Sequence, residues 1–254
     1  MTTCTLCKKE TLLLKRSHII SEFFYRETNL FDAKHQLKLI QANQKTKRLE
    51  PLNKQNTGFY EKEILCPNCD NNIIGRLESY LRPLLFGGNI GITDNPIFKN
   101  YRDSNGRPFV QCTNISYDKT KLGLLSILWR GSISKNKFFN DMKLDPDQQE
   151  ELRCMLLNND PKEINRYPIV GLSILGQNKS FNEVIAEPKK FNHQKGTGVS
   201  ILISGIFILF YLSHTFSDTE LERYSISPNR TMTLIEIDDG KGLDWILTYI
   251  GLIK

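Results

Sequence analysis

An α+β fold is what the sequence predicts, and three observations carry the prediction. Two Cys-x-x-Cys pairs, Cys4-x-x-Cys7 and Cys66-x-x-Cys69, frame the first third of the chain. Apolar residues recur at helical spacing over 118–134, and β-rich segments follow Pro168. The expected organisation is a cysteine-held unit over 1–88, a connector over 89–117, and a mixed helix and antiparallel-strand domain over 118–254.

Composition sets the outer bounds. With 254 residues, 39% hydrophobic and 24% charged, the chain can bury a core, which excludes bulk disorder. The net charge of +6 is concentrated: residues 1–88 hold 14 Lys and Arg against 9 Asp and Glu. A local basic excess is the footprint expected for a polyanion partner. Met1-Thr2-Thr3-Cys4 has no basic region followed by an apolar run, so a cytoplasmic, reducing setting is expected, with no membrane partner. In that setting paired cysteines favour a metal over disulfides. Cys112 and Cys154 stand alone and read as core thiols.

The elements follow in order. Residues 1–30 carry the first cysteine pair, Leu12-Leu13-Leu14, and Arg16-Ser17-His18-Ile19-Ile20. Residues 32–58 are rich in Lys, Gln and Asn and read as a long loop or irregular hairpin. Ile64-Leu65 leads into the second pair, after which Ile73, Ile74, Leu77 and Leu81 keep helical spacing until Gly87-Gly88. Asn95-Pro96 and Asn105-Gly106-Arg107-Pro108 punctuate a connection with room for one or two strands. Leu122, Leu125, Ile127, Leu128 and Trp129 predict a mostly buried helix over 118–134. Pro146 before an acidic first turn predicts a second over 147–158. Strands are expected over 169–174, 181–186, 199–204, 206–212 and 232–237, with a closing helix over 243–253. The apolar run 199–212 is too short to span a bilayer, which needs about 20 residues. Interrupted by Ser204-Gly205, it reads as two buried strands and a tight turn.

The four cysteines match the ligand set of a structural zinc site, Cys4, Cys7, Cys66 and Cys69 each giving one thiolate. One pair near a knuckle and one at a helix start is the treble-clef arrangement. Fifty-nine positions separate Cys7 from Cys66, so something is housed between the pairs. His18 lies there, in an apolar, strand-like context.

The order of these motifs resembles an HNH (His-Me finger) nuclease, a zinc-bound treble-clef ββα-metal finger. The resemblance is carried by the first pair, the strand Ser17-His18-Ile19-Ile20, and Leu65-Cys66-Pro67-Asn68-Cys69-Asp70 opening a helix. It implies a metal-dependent endonuclease acting on double-stranded DNA. His18 then takes the general-base position, and Asp70 the helix-borne ligand of a catalytic Mg²⁺ or Mn²⁺. Ser17 falls where the family usually has Asp or His, and a neutral hydroxyl is a poor ligand for such ions. Asp70, where related members carry Asn, moves the negative charge from strand to helix. Glu22 and Glu78 are candidate accessory groups, Glu78 also a candidate for a structural ion pair.

Ser17-His18-Ile19-Ile20-Ser21-Glu22-Phe23 is also similar to uncharacterised bacterial HNH proteins with a Ser-His-Ile-Ile-Pro-like motif and a buried helix like Leu125–Arg130. In this chain Ser21 replaces the Pro. That likeness implies a bacterial or mobile-element defence effector, with target choice, a protein partner or regulation in the C-terminal domain. The rival from another class is a zinc-stapled nucleic-acid-binding or adaptor protein with a decayed site, and an RNA substrate is a third reading. Trp129-Arg130 reads as core more readily than as a phosphate-binding pair. His193 falls in a basic loop, and His35 and His214 carry no pattern.

Overall fold

Short strands and turns dominate the first third of the chain, because its apolar residues come in brief runs between Lys, Gln and Asn. The computed structural model describes residues 2–43, 45–46, 48–52, 55–88, 95–174 and 183–237. Strand β1 (Thr2–Thr3) pairs with β2 (Glu10–Thr11) around the first cysteine pair. Strand β3 (Ser17–His18) precedes helix α1 (Glu22–Glu27), which buries Phe23, Phe24 and Tyr25. The polar stretch then forms a hairpin, β4 (Leu39–Asn43) with β5 (Arg48–Pro51), and β6 (Tyr60–Glu61) returns to pair with β3. A π-helical segment, Asn68–Ile74, runs into helix α2 (Gly75–Phe86).

The rest is one large sheet with helices on it. Strands β7 (Ile97–Arg102) and β8 (Pro108–Thr113) form a hairpin ahead of α3 (Tyr117–Ile133). A 3₁₀ stretch, Lys137–Met142, leads to α4 (Pro146–Asn158). Then come β9 (Ile169–Ser173), β10 (Ile185–Ala186), β11 (Lys189–His193), β12 (Gly196–Ile203), β13 (Ile206–His214), α5 (Asp218–Tyr224) and β14 (Thr231–Glu236). The sheet order is β5-β4-β10-β12-β13-β9-β14-β8-β7, with β11 also on β12. Among the described residues only β10–β4 and β14–β9 are parallel pairs.

The α+β class and the antiparallel character follow the sequence expectation; the segmentation does not. Residues 97–113, expected as a connection with room for one or two strands, supply both, and the hairpin joins the large sheet on β14. The polar stretch adds β4 and β5 to the same sheet through Leu39 opposite Ile185. One core takes in Cys4, Leu65, Leu125 and Ile208 together, so no break in packing falls at residue 88. The expected strand 181–186 is reduced to Ile185–Ala186 within the described residues, and the closing helix 243–253 lies outside them.

The apolar run 199–212 is a hairpin, as expected. Ser204 and Gly205 both have positive φ, 52° and 78°, the requirement of the tight turn whose twist suits paired strands. Its residues alternate between two buried faces: Ile206, Ile208 and Phe210 face the α3 side, Phe207, Leu209 and Tyr211 the other. Burial on both faces explains why the sequence shows no polar alternation. Among the described residues no helix is long and apolar enough to cross a membrane.

Helix α3 is the centre of the molecule, with every residue from Thr120 to Ser132 buried. Ser116 caps its first turn by accepting from the Lys119 N–H. Gly123 lets α2 come close: a Cβ there would lie 2.5 Å from Leu81 Cδ1. Lys121 on this helix is buried, its Nζ donating to Tyr117 Oη at 2.9 Å and the Glu163 carbonyl at 2.7 Å. Burial lowers its pKa to about 7, against a smaller opposing pull from Asp160. Between pH about 7 and about 10.4 the unfolded lysine is therefore protonated while the folded one is not. Stability rises with pH across that window. Lys121→Met is expected to flatten the rise and to gain on the order of 1 kcal/mol at neutral pH. Urea melts at several pH values check it.

Candidate active site

The first pair of cysteines sits in a knuckle. The Lys8 N–H donates to the Cys4 carbonyl and the Cys4 N–H to the Lys9 carbonyl, with Lys8 at φ 60°. The second pair opens the helix, where the Asp70 N–H donates back to the Cys66 carbonyl at 3.0 Å. Backbone bonds from Thr5 to Ile64 and from Leu14 to Leu65 bring the two regions together. The four Sγ atoms lie within 4.8 Å of one another, close enough to hold one metal ion. Tetrahedral zinc with ~2.3 Å bonds places sulfurs about 3.8 Å apart, and Cys7 and Cys66 stand at 4.0 Å. The Cys66 N–H donates to Cys4 Sγ at 3.3 Å. Burial pushes the Cys4 thiol up, but N–H groups of Cys7, Cys66 and Leu6 outweigh it and bring the pKa to about 7. A thiol ionised near neutrality is a ready metal ligand.

Strands β3 and β6 form a two-stranded sheet of their own. Ser17 pairs with Glu61 and His18 with Tyr60, and the Ile19 N–H donates to the Phe59 carbonyl at 2.9 Å. Ile19 and Ile20 are buried, which fixes the strand and leaves the His18 ring half-buried at the rim. No described group hydrogen-bonds that ring, so its nitrogens are open to water or a ligand. The exposed Lys15 and Arg16 precede it, Arg16 lying 4.8 Å from the Tyr60 ring centroid.

Asp70 is the meeting point. Burial pushes its pKa up, opposed by the Arg130 guanidinium, the Ser17 hydroxyl and His18, and reinforced by Glu78. The fully buried Ser17 Oγ makes no hydrogen bond of regular geometry, so its effect on Asp70 is that of a nearby hydroxyl dipole. Glu78 comes near Asp70 because of the π segment. At roughly 100° per residue an unbroken α-helix would set positions eight apart about 80° from each other. The π turn, in which the Gly75 N–H donates to the Asp70 carbonyl five residues back, takes more residues per turn and rotates the two toward one face.

Arg130 was not foreseen as part of this constellation. It is almost fully buried on α3, and its guanidinium donates to the His18 carbonyl at 2.7 Å, Ser21 Oγ at 3.2 Å and Ser126 Oγ at 3.2 Å. It pairs with Glu78 Oε1 at 2.8 Å. One side chain thus locks the strand bearing His18 to the helix bearing Asp70. The sequence signal was available: a charged residue on a helix with no exposed face needs buried partners. Its neighbour Trp129 is core, as expected.

The remaining candidates sort plainly. Glu78 is an ion-pair partner of Arg130, one of its two expected roles. Glu22 is exposed and bonded to Arg26 at 2.7 Å, which makes it a helix-surface pair. Cys112 is a core thiol, pushed up to about 12 by burial, but Cys154 is only half-buried, beside Arg153. His193 belongs to strand β11, not a loop; His35 stacks on Phe31, and His214 bonds the Asn165 carbonyl.

The four cysteines are the one group of three or more His, Cys, Asp and Glu ligands that converges among the described residues. The groups at Asp70 are instead its own carboxylate, the unbonded Ser17 Oγ, and Glu78 Oε1, held by Arg130 without a regular hydrogen bond. Hard oxygens with spare lone pairs suit Mg²⁺ or Mn²⁺, which fill their remaining positions with water. No family model, curated protein or solved structure matches the chain.

Proposed function

We propose that this protein is a metal-dependent endonuclease of the HNH type acting on double-stranded DNA. The observation that carries the reading is the placement of His18 and Asp70. His18 stands on β3, paired with β6, and Asp70 on the helix that starts at the second cysteine pair, close enough for His18 to act electrostatically on its carboxylate. The knuckle, the paired strands and the helix start support the treble-clef form, and the tetrathiolate set supports zinc as its structural ion.

In this mechanism the His18 imidazole accepts a proton from water as the water oxygen bonds to phosphorus. The bond from phosphorus to the leaving sugar oxygen breaks, and that oxygen takes its proton from solvent. Asp70 would hold the divalent ion, with Ser17 and Glu78 beside it. Stabilisation of the charge developing on the phosphate is what Mg²⁺ or Mn²⁺ supplies when bound. Arg130 neutralises Glu78 and holds the His18 carbonyl, so the base is presented by a fixed strand. The exposed Lys15 and Arg16, just ahead of His18, would contact the phosphate backbone. A defence role in a bacterium or mobile element rests on the family likeness alone.

The test is nicking of supercoiled plasmid by zinc-loaded protein. Cleavage is expected with Mg²⁺ or Mn²⁺, none with monovalent salt alone, and a higher metal requirement in Asp70→Asn. One observation favours a second reading, a nucleic-acid-binding protein with a decayed site: Ser17 offers a hydroxyl where a stronger ligand is usual. Tight DNA binding with no cleavage under any divalent ion would decide for it.

A further inference from the structure

Near the turn between β7 and β8, the second face of the large sheet opens into a cavity of about 380 Å³. Small-ligand sites begin at roughly 300 Å³, so the space suits one compact molecule and not a nucleic-acid strand. Its floor includes Val170, Leu172 and Leu209, all from the second core cluster and not from the core that holds Cys4 and Leu65. Whatever it does is therefore independent of the nuclease reading.

The lining combines aromatic surface with an excess of positive charge. Phe109, Tyr211, Phe216 and Tyr224 present aromatic surface. Arg107, Lys195 and Arg223 stand against a single carboxylate, Asp103. Asp103 is already engaged, accepting the Asn105 and Arg107 N–H groups and pairing with Arg107 Nε at 3.2 Å. Lys195 is paired with Glu220 at 2.5 Å. Arg223 lies 5.4 Å from the Tyr224 ring centroid, with no carboxylate at ion-pair distance among the described residues. An aromatic ring beside an uncommitted guanidinium is a stacking platform for a flat, negatively charged molecule.

The polar groups point the same way. His193 Nδ1 accepts the Lys195 N–H at 3.0 Å, so a neutral ring carries its proton on Nε2, 2.9 Å from Tyr211 Oη. Burial lowers the His193 pKa and raises that of Tyr211 to about 12, keeping both neutral near pH 7. The Tyr211 phenol, accepting from His193, keeps its own proton to donate. Gln111 and Thr233, opposite each other on β8 and β14, add an amide and a hydroxyl.

We propose that this cavity binds a small planar aromatic anion, a ring bearing a phosphate or a carboxylate. The ring packs on Tyr224 and Phe216, and the anionic group meets Arg107 and Arg223.

The test uses the full chain and anilinonaphthalene sulfonate as fluorescent probe, with AMP and indoleacetate as competitors for the two anion types and adenosine as the uncharged control. Saturable one-site binding is expected, with displacement by AMP, by indoleacetate or by both, and roughly tenfold or weaker competition by adenosine. The Arg107→Gln/Arg223→Gln double variant should weaken probe binding by roughly tenfold or more, from the loss of charge-assisted bonds. Both side chains are exposed, so its melting temperature should match wild type. Tyr211→Phe, which removes only the phenol hydroxyl, should weaken binding severalfold. Undiminished probe binding in the double variant, equal competition by adenosine, or displacement by neither anion overturns the proposal.

Discussion

In Cys69→Ser the cooperative melting of the whole chain is expected to shift downward by on the order of 10 °C, from a loss of several kcal/mol. Cys69 is fully buried, and its thiol closes a cluster that joins chain segments 59 positions apart from Cys7 to Cys66. Structural zinc contributes about 10–16 kcal/mol in small zinc-finger peptides at pH 7, so one lost ligand in four removes a substantial part. The effect should not stay local. Arg153 of α4 donates to the Leu6 carbonyl at 2.5 Å, and Cys4, Cys66 and Cys69 share one core with α3. Chelator-treated wild type should melt in the same way as Cys69→Ser, while Cys154→Ser, at a half-buried thiol outside the cluster, should melt like wild type. Thermal melts read beside zinc content check this, and an unchanged melt in Cys69→Ser would remove the metal from the account of stability.

Arg130→Met carries the second large effect. It leaves the half-buried Glu78 carboxylate, whose Oε1 is shut off from solvent, without its cation, and it strips the donor from the His18 carbonyl and from Ser21 Oγ. Breaking a buried pair from one side costs about 3–5 kcal/mol, chiefly through the stranded charge. Arg130→Lys should recover little, because a single ammonium cannot serve the His18 carbonyl, Ser21, Ser126 and Glu78 at once. Adding Glu78→Gln to Arg130→Met should return much of the stability, since the unpaired charge is then gone. Cleavage should stay low in the double variant, because the strand bearing His18 remains unanchored. Denaturant melts of the four proteins measure the first part and plasmid nicking the second. If the double variant is as unstable as Arg130→Met, the Glu78 charge is not the cause.

Where local pattern and burial agree, the fold was legible. Helix α3 announced itself through Leu122, Leu125, Leu128 and Trp129, and α4 through Pro146 and an Asp145 cap that accepts from the Gln148 N–H. The hairpin at Ser204-Gly205 was legible because only a turn explains a polar and a glycine residue amid so much apolar sequence. Strands whose existence depends on a distant partner were not. β4 and β5, read as a loop or irregular hairpin, do form a hairpin, but their place in the large sheet depends on β10, some 145 positions away. β11 buries Phe191 alone, and α5 buries only Leu221, so neither shows periodicity. The capping box of Ser217 and Glu220 at the start of α5 is a sequence signal that went unread. In the site, the cysteines and His18 were legible from residue type and spacing. The alignment of Asp70 with Glu78 was not, since it depends on a π turn that residue spacing does not reveal. Arg130 was hidden by its place 112 positions from His18.

The central claim is that His18 activates water beside Asp70. Its most direct test is the single-turnover rate of plasmid cleavage in Mn²⁺ by wild type and by His18→Ala, both zinc-loaded and equally folded. A general base contributes roughly 10²–10⁴-fold, and the variant should fall by that factor with its melting temperature and DNA affinity retained. A His18→Ala protein that cleaves at the wild-type rate would contradict the account.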